Sequence, residues 1–141
     1  SMVFKLNIRL EKDTIFVSEN SYSQILLMND SRYPWFIIVP KTNTLEIFNL
    51  EETWQLELNN QINLISIFLK SKYPKSILNI AKIGNIVQQL HVHVLARSEN
   101  DFAWPNPVWG VGKIDKYDKK DSIILINEFN QYFDRHYETL N

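Results

Sequence analysis

The stretch Gln89-Leu90-His91-Val92-His93-Val94-Leu95 alternates polar and apolar residues along its length. Such alternation is typical of a β-strand with one face in the core, because successive strand side chains point to opposite faces. Gln89, His91 and His93 therefore share one face, while the apolar residues between them point to the other. The two histidines lie about 6 to 7 Å apart along the strand. Both imidazoles can contact one phosphate group at that spacing.

Three interpretations fit a His-x-His strand. The first is a half-exposed strand that only displays polar side chains to water. The second is a metal site, for which His91 and His93 supply two ligands and His136 or Asp101 would have to supply others. The third is an active site in which both imidazoles contact one phosphate group. Spacing alone does not choose among them, although nothing at ligand spacing supports a metal.

The segments around this stretch predict the order strands, helix, strands, helix. Apolar runs between polar or glycine-containing breaks predict the strands, and apolar residues at three- and four-residue steps predict the helices. The strands are expected at residues 14–18, 23–28, 35–39, 76–80 and about 87–96, and the helices at about 50–70 and 121–137. This order predicts an α+β fold with a mainly antiparallel sheet and with helices on one side.

The sequence gives further predictions for two of these elements, the central strand and the last helix. The run 35–39 is apolar throughout and is bounded by Pro34 and Pro40, which predicts a central strand covered on both faces. The last helix is expected to begin at a cap formed by Asp121 or Ser122. Its core-facing positions are expected to be Ile123, Ile126, Phe129, Phe133 and Tyr137.

The composition indicates a single domain over residues 1–141, in which Ser1 before Met2 looks like a cloning remnant. Hydrophobic residues make up 45% of the chain, which is enough for one continuous core. A formal net charge of −1 gives no global attraction to nucleic acid or to an anionic membrane. The chain has no cysteine and no apolar run of membrane-spanning length. We therefore expect a cytoplasmic protein with no nucleic-acid or membrane partner.

A tryptophan-rich segment separates the last strand from the last helix. Residues 104–112 contain two of the four tryptophans, two of the three glycines and two prolines, and they predict a shaped, irregular loop. Trp104 and Trp109 have two open roles. They stack on a ligand base or contact a partner subunit, or they plug the core under the loop, which is the role we favour.

Residues 84–95, Gly-Asn-Ile-Val-Gln-Gln-Leu-His-Val-His-Val-Leu, resemble the signature of the histidine triad superfamily. That signature is His-φ-His-φ-His-φ-φ, in which φ is apolar, and Gln89 stands in the place of the first histidine. The chain looks most like a bacterial branch described as diadenosine tetraphosphate hydrolase-like, which carries glutamine there. Three further segments, 28–35, 39–40 and 103–110, are similar to the same branch and occur in the family order.

The resemblance implies a fold and a reaction. The fold is HIT-like, with a five-stranded, mainly antiparallel sheet and two main helices, usually in a homodimer. The implied substrates are nucleotides joined through their α-phosphate. His91 takes the position of the family nucleophile, and His93 takes that of the residue that contacts the phosphoryl oxygens. Further contacts are implied for Gly84 and Asn85 at the phosphate and for Asn29 or Asp30 at the ribose.

Covalent chemistry by His91 follows a physical logic. An imidazole nitrogen that attacks the α-phosphorus forms a nucleotidyl-histidine, and water then releases the nucleoside monophosphate. His93, if protonated, would stabilise the charge on the phosphoryl oxygens. The reaction requires no cofactor, although a divalent cation can accompany a polyphosphate substrate.

Gln89 bears on the choice of substrate. An amide forms hydrogen bonds but does not titrate, so it can orient groups but cannot carry a proton. A nucleoside polyphosphate leaves with little protonation, whereas a phosphoramidate nitrogen needs a proton. Gln89 therefore favours dinucleoside polyphosphates as substrates. The alternative is a nucleotide-binding module with little catalysis, which Gln89 and Ile86, in place of a family Ser or Thr, both suggest.

Three further polar residues have open roles. Arg97 either neutralises a distal phosphate or is a solvated arginine at the end of the strand. Asn79 is a candidate supporting residue on the neighbouring strand and completes the predicted substrate-binding set. His136, on the last helix, is expected at the surface.

Overall fold

The computed structural model describes residues 3–140, and within the last helix it describes side chains up to residue 136. In chain order the elements are α1 (Ile8–Asp13), β1 (Thr14–Glu19), β2 (Ser23–Met28), β3 (Trp35–Pro40), a 3-10 turn (Ile47–Asn49), α2 (Glu52–Lys72), β4 (Ile77–Ala81), β5 (Val92–Arg97) and α3 (Lys119–Leu140). None of the helices in this range is long and apolar enough to cross a membrane.

The five strands form one antiparallel sheet in the order β1-β2-β3-β5-β4. β3 pairs with β2 and β5 and is buried along its whole length, as its continuous apolar run predicts. The predicted α+β fold, with a five-stranded antiparallel sheet and two main helices, is confirmed. β4 lies at one end of the sheet and pairs with β5 alone among the described residues.

Helices α2 and α3 cover one face of the sheet. Phe36 of β3 lies in this core, where its ring stacks on Phe129 of α3 with centroids 4.6 Å apart and meets Phe68 of α2 edge-on at 6.1 Å. Val92 and Val94 of β5 belong to the same cluster. Large aromatic side chains bury much apolar area, so this cluster contributes strongly to holding the helices on the sheet.

Irregular chain and the short helix α1 cover the opposite face. Trp35 of β3 and Leu95 of β5 pack there against Ala103 and Val108 from the segment that follows β5. Leu10 of α1 joins the same cluster. β5 is therefore packed on both faces, and its alternating side chains belong to two different cores.

The last helix begins at Lys119, two residues before its predicted start, and its core-facing residues differ in part from the predicted set. Ser122 lies inside the helix and its hydroxyl donates to the Lys119 carbonyl, so the predicted cap at Asp121 or Ser122 is wrong. Ile123 is 46% exposed, and Leu125 is buried instead. Phe129 and Phe133 are buried as predicted, Ile126 is partly buried, and the side chain of Tyr137 lies outside the described residues.

β5 begins at Val92, five residues later than the alternation predicts. Its ladder with β3 ends at the pair Ile38–Val92, and its ladder with β4 ends at the pair Ala81–His93. Neither neighbouring strand pairs with residues 87–91, so these residues form an irregular approach to β5. His91 therefore precedes the strand and His93 lies within it.

Helix α1 has no counterpart among the predicted elements. It is six residues long, and the Asn7 side chain caps it by accepting a hydrogen bond from the Arg9 amide at 2.9 Å. A helix this short spans too few turns for apolar periodicity to show, so the capping residue was the available signal. The strands before residue 41, the helix α2 and β4 agree with their predicted bounds to within two residues.

Candidate active site

His93 on β5 and His91, one residue before the strand, lie on the side of the sheet opposite to α2 and α3. The alternation sends Val92 and Val94 into the helix-side core, so the two imidazoles project toward α1 and the loops. Their ring centroids are 4.9 Å apart and their planes are nearly perpendicular, at 70°. His91 is 6% exposed and His93 is 4% exposed, so both rings sit in a largely water-free environment.

The main chain fixes the tautomer of His91. Its Nδ1 lies 2.6 Å from the carbonyl oxygen of Gln89, and a carbonyl oxygen can only accept a hydrogen bond. Nδ1 therefore carries the proton in the neutral ring, and Nε2 keeps its lone pair. His91 lines both of the cavities described below, so this arrangement provides a nucleophilic nitrogen.

Trp35 fixes the opposite tautomer in His93. The indole N–H of Trp35 donates to Nδ1 of His93 at 3.0 Å, so Nδ1 accepts and the proton of the neutral ring is on Nε2. Burial, together with the neighbouring His91, lowers the pKa of His93 to about 3. His93 in this structure is therefore neutral near neutral pH, unlike the protonated form considered for stabilising phosphoryl charge. His93 instead offers a hydrogen bond from a neutral Nε2–H.

The two tryptophans of the loop have different positions. Trp109 meets His93 edge-on at 5.1 Å and Trp35 edge-on at 5.6 Å, so it is a wall of the histidine site. Trp104 lies against the guanidinium of Arg97, with its ring centroid 5.8 Å from the guanidinium carbon. Ala103 and Val108 fill the core on this face instead, so the expectation that Trp104 and Trp109 plug the core is wrong.

Two cavities meet at His91. The larger has a volume of about 420 Å³ and is mainly apolar, with walls from α1, β2 and the tryptophan loop. The smaller has a volume of about 210 Å³ and contains the ion pair between Lys82 and Glu46, whose charged atoms are 2.8 Å apart. The side chains that line only the larger cavity are Arg9, Leu10, Asp13, Met28, His93 and Trp109, together with Ile86.

The loop from residue 83 to residue 87 forms the boundary between these cavities. Gly84 and Asn85 line both of them, and their contact with a phosphate stays a prediction. Gly84 has a φ of +77°, a left-handed conformation that side-chain-bearing residues rarely adopt. The glycine therefore turns the chain sharply beside His91, and Asn85 is exposed at the tip of the turn.

Gln89 directs its amide toward the N-terminal segment. Its Oε1 accepts from the amide of Asn7 at 2.8 Å, and its Nε2 donates to the carbonyl of Lys5 at 2.9 Å. Both polar ends of the side chain are occupied by main-chain groups. Gln89 also lines the smaller cavity.

Arg97 is buried in an ion-pair network and lines neither cavity of the histidine site. It is 2% exposed, so it is not a solvated arginine at a strand end. Its guanidinium donates two hydrogen bonds to Asp101, at 2.8 and 3.0 Å, and a third to Asn79 at 3.0 Å. The Arg97 guanidinium and two amide donors, of Ser98 and Trp104, hold the pKa of Asp101 below its usual range against the opposing effect of burial. The network ties the tryptophan loop to β4 and β5.

The residues predicted at the ribose stabilise a loop in this structure. Asp30 is 1% exposed and forms a two-pronged ion pair with Arg32, at 2.9 and 2.8 Å. Asn29 accepts from the amide of Tyr117 at 3.0 Å. Arg32 also donates to the Val111 carbonyl, which joins this turn to the end of the tryptophan loop. Neither Asn29 nor Asp30 lines either cavity at His91.

His136 belongs to α3, on the other side of the sheet from His91. Its Nδ1 lies 2.8 Å from the Tyr132 carbonyl and its ring stacks on that of Tyr132 at 4.1 Å. Among the described residues, no group of three or more His, Asp or Glu side chains has a spacing suited to a metal ion.

Sequence reasoning did not find Lys82, Trp35 or the residues of α1 among the site residues. Lys82 and Glu46 are 36 positions apart and meet only in the fold, so no motif marks them. Trp35 faces His93 because Ile37 is the residue that pairs with His93 in the sheet. A correct register between β3 and β5 would have placed Trp35 close to the histidine.

Comparison with known proteins gives concordant matches. A family model of the HIT domain matches residues 9–100. A histidine triad protein from Bradyrhizobium japonicum is 38% identical, with a TM-score of 0.88 over 92% of this chain and 97% of its own. A histidine triad protein from Sinorhizobium meliloti is 39% identical, with a TM-score of 0.87 over 92% and 96%. Diadenosine triphosphate hydrolase from Plasmodium falciparum shares the fold at 14% identity, with a TM-score of 0.63 over 94% and 82%.

No match was found among curated protein sequences. The family model nevertheless covers most of the chain, and the two bacterial histidine triad structures align over almost all of it. The chain therefore belongs to the histidine triad (HIT) domain family, whose members bind small nucleotides and include nucleotide hydrolases.

Proposed function

We propose that this protein is a nucleotidyl hydrolase or transferase that forms a covalent nucleotidyl intermediate on His91. The observation that carries the proposal is the hydrogen bond from His91 Nδ1 to the Gln89 carbonyl at 2.6 Å. It leaves Nε2 as the unprotonated nitrogen of a ring that lines two cavities. A buried, unprotonated imidazole nitrogen between two binding spaces is suited to attack at phosphorus.

The reaction has two displacements. Nε2 of His91 attacks the α-phosphorus, a nitrogen–phosphorus bond forms, and the bridging oxygen leaves with the electron pair of the bond that breaks. Water then attacks the same phosphorus and releases a proton to the solvent, the nitrogen–phosphorus bond breaks with its electron pair returning to Nε2, and the nucleoside monophosphate departs. In the transferase variant of the reaction, another nucleophile takes the place of water.

His93 supports both displacements as a neutral donor. Its Nδ1 is occupied by the indole of Trp35, so its Nε2–H is the group available to a phosphoryl oxygen. A fixed donor in a site with little water stabilises the developing negative charge without a change in its own protonation. The turn at Gly84 and Asn85 brings further polar groups to the edge of the same space.

The two cavities suit the two halves of a substrate. The larger, apolar cavity has the character that a nucleoside requires, with Trp109, Leu10 and Met28 among its walls. The smaller cavity offers the ammonium group of Lys82 to the phosphates of a leaving group. This arrangement favours dinucleoside polyphosphates, as in the hydrolase from Plasmodium falciparum that shares the fold.

The other predicted site residues have supporting roles in this proposal. Asp30 and Asn29 hold the turn after β2, and Arg97 and Asn79 hold the tryptophan loop through Asp101. Gly84 and Asn85 remain the proposed phosphate contacts. No cofactor takes part in the displacement, and a divalent cation bound to a polyphosphate chain remains a prediction. A cytoplasmic location also remains a prediction that rests on the cysteine-free sequence.

A substitution at His91 tests the covalent step. His91→Ala is expected to lose turnover of diadenosine tetraphosphate by at least about a thousandfold, because no other group can form the intermediate. His136→Ala, on the other side of the sheet, is the matched control and should keep full turnover. Mass spectrometry of the wild-type protein quenched during turnover should show a nucleotidyl adduct at residue 91.

Two results would contradict the covalent mechanism. One is an active His91→Ala variant, and the other is a wild-type protein that turns over none of several substrates, including an adenosine phosphoramidate. Tight binding of adenosine monophosphate in calorimetry, without any turnover, would establish the alternative of a binding module.

A substitution at Lys82 tests the placement of the leaving group. Lys82→Met is expected to raise KM for diadenosine tetraphosphate about tenfold, since a charge-assisted hydrogen bond to phosphate is lost. KM for adenosine phosphoramidate should stay within about twofold, because its small leaving group does not extend to Lys82. Lys75→Met, at an exposed position, is the matched control. An equal rise of KM for both substrates would place Lys82 outside the leaving-group site.

The lowered pKa of His93 predicts a dependence of stability on pH. The folded-state pKa of about 3 lies below the ordinary value of 6.5, so the unfolded chain binds the proton more readily between these values. This contribution to stability is fully present above pH 6.5 and declines as the pH falls toward 3. Between pH 7 and pH 5 it amounts to about 2 kcal/mol.

Urea unfolding of the wild type and of His93→Asn at pH 7 and pH 5 measures this contribution. Asparagine can still accept from Trp35 but does not titrate, so the loss of stability at pH 5 should be smaller in the variant by about 2 kcal/mol. Equal losses in the two proteins would show that His93 titrates normally in the folded state.

We also propose that two copies of the chain form a homodimer through β4. Its outer edge has no strand partner among the described residues, and Ile77 and Ile80 on it are 55% and 50% exposed. An unpaired edge with apolar side chains is a surface that proteins usually cover.

Light scattering is expected to give about twice the chain mass of 16.7 kDa. The double substitution Ile77→Lys and Ile80→Lys should give the monomer mass, because lysines on an edge strand oppose pairing with a second copy. A monomeric wild type, or a variant that stays dimeric, would remove β4 as the interface.

A further inference from the structure

We infer that Gln89 is a positioning residue that clamps the N-terminal segment, residues 3–7, onto the approach to His91 and thereby shapes the larger cavity. The kinetic test of this inference rests on the proposed function, whereas its structural test rests only on the hydrogen bonds of Gln89. The partner of the Gln89 amide is then the main chain of this protein and not the substrate.

The amide of Gln89 matches the N-terminal main chain as a neighbouring strand would. Lys5 C=O and Asn7 N–H flank Leu6, and Gln89 donates to the first at 2.9 Å and accepts from the second at 2.8 Å. A pair of opposed N–H and C=O contacts is the unit from which a β-ladder is built. A side chain that both donates and accepts is needed to form the two bonds, and the ionised carboxylate of glutamate, which only accepts, cannot reproduce them.

The clamped segment leads directly into a wall of the larger cavity. Phe4 and Leu6 pack partly buried on the cluster that also contains Leu10 and Trp35. The residue whose amide meets Gln89, Asn7, is also the cap of α1. Helix α1 contributes Arg9, Leu10 and Asp13 to the cavity lining. The position of Gln89 therefore determines where this wall stands.

The main chain of the same residue acts on the nucleophile. The Gln89 carbonyl accepts the Nδ1 proton of His91, while its side chain holds the segment before α1. One residue thus connects the wall of the nucleoside cavity with the ring that attacks phosphorus. Loss of the side-chain clamp is expected to alter the cavity first, since the carbonyl that orients His91 is present in every variant.

Two substitutions remove the clamp from opposite sides. Gln89→Met keeps the volume of the side chain and removes both hydrogen bonds. Asn7→Pro leaves Gln89 intact and removes the N–H that it binds, at a residue whose φ of −55° suits proline. Asn7→Ala loses only the side-chain cap of α1, so the difference between the two Asn7 variants isolates the clamp. Gln24→Met, on β2, is the control for the change from glutamine to methionine.

Three measurements read out the clamp. Both clamp variants are expected to raise the Kd for adenosine monophosphate and the KM for diadenosine tetraphosphate about tenfold, with kcat within about twofold. Amide hydrogen exchange at residues 4–10 should accelerate about tenfold in the same variants. Gln24→Met should match the wild type in all three.

The outcomes that overturn the inference differ from those that overturn the proposed function. A fall of kcat in Gln89→Met with an unchanged Kd would place the amide on the reacting groups, and unchanged hydrogen exchange in Gln89→Met would show that it does not hold the segment. A wild-type protein that neither binds adenosine monophosphate nor turns over substrate rejects the proposed function. Hydrogen exchange then still decides whether Gln89 clamps residues 3–7.

Discussion

The packing of β5 on both of its faces is the constraint on which the site depends. Val92 and Val94 are held in the core under α2 and α3, and Leu95 is held in the second core under the tryptophan loop. The strand cannot rotate about its axis without exposing one of these sets to water. The direction of His93, and of His91 one step before the strand, follows from this arrangement. Apolar burial therefore orients the two rings independently of their polar contacts.

Polar contacts then give the two rings opposite tautomers. A carbonyl oxygen fixes the proton of His91 on Nδ1, and an indole N–H fixes that of His93 on Nε2. One ring therefore presents a lone pair and its neighbour presents a proton, although their centroids are only 4.9 Å apart. Burial favours the neutral form of His93, because a charge on its ring would be poorly solvated, and so lowers its pKa. The two histidine side chains are chemically identical, but their opposite tautomers present different groups to the site.

The sequence was most informative where short-range patterns control structure. The alternation of residues 89–95, the apolar run of β3 and the helical spacing of α2 predicted the sheet and its helices, and the motif located His91, His93, Gly84 and Asn85 at one place. Polar partners that are distant in the chain escaped prediction. For Arg97 the sequence leaves a phosphate or water as the partner, because Asn79 is 18 positions away and Asp101, four positions on, meets Arg97 only through the turn after β5. The pKa of His93 depends on burial, which no spacing rule supplies.

The docking of residues 3–7 on the site face has a practical consequence for work with this protein. An affinity tag or fusion partner attached immediately before Phe4 would lie next to the short stretch that carries Leu6 and leads into α1. Asn7 at the end of this stretch caps α1, and α1 lines the cavity beside His91. α3 packs on the opposite face of the sheet, so additions beyond that helix are remote from the cavity. The end at which the protein is tagged is therefore an experimental variable in its own right.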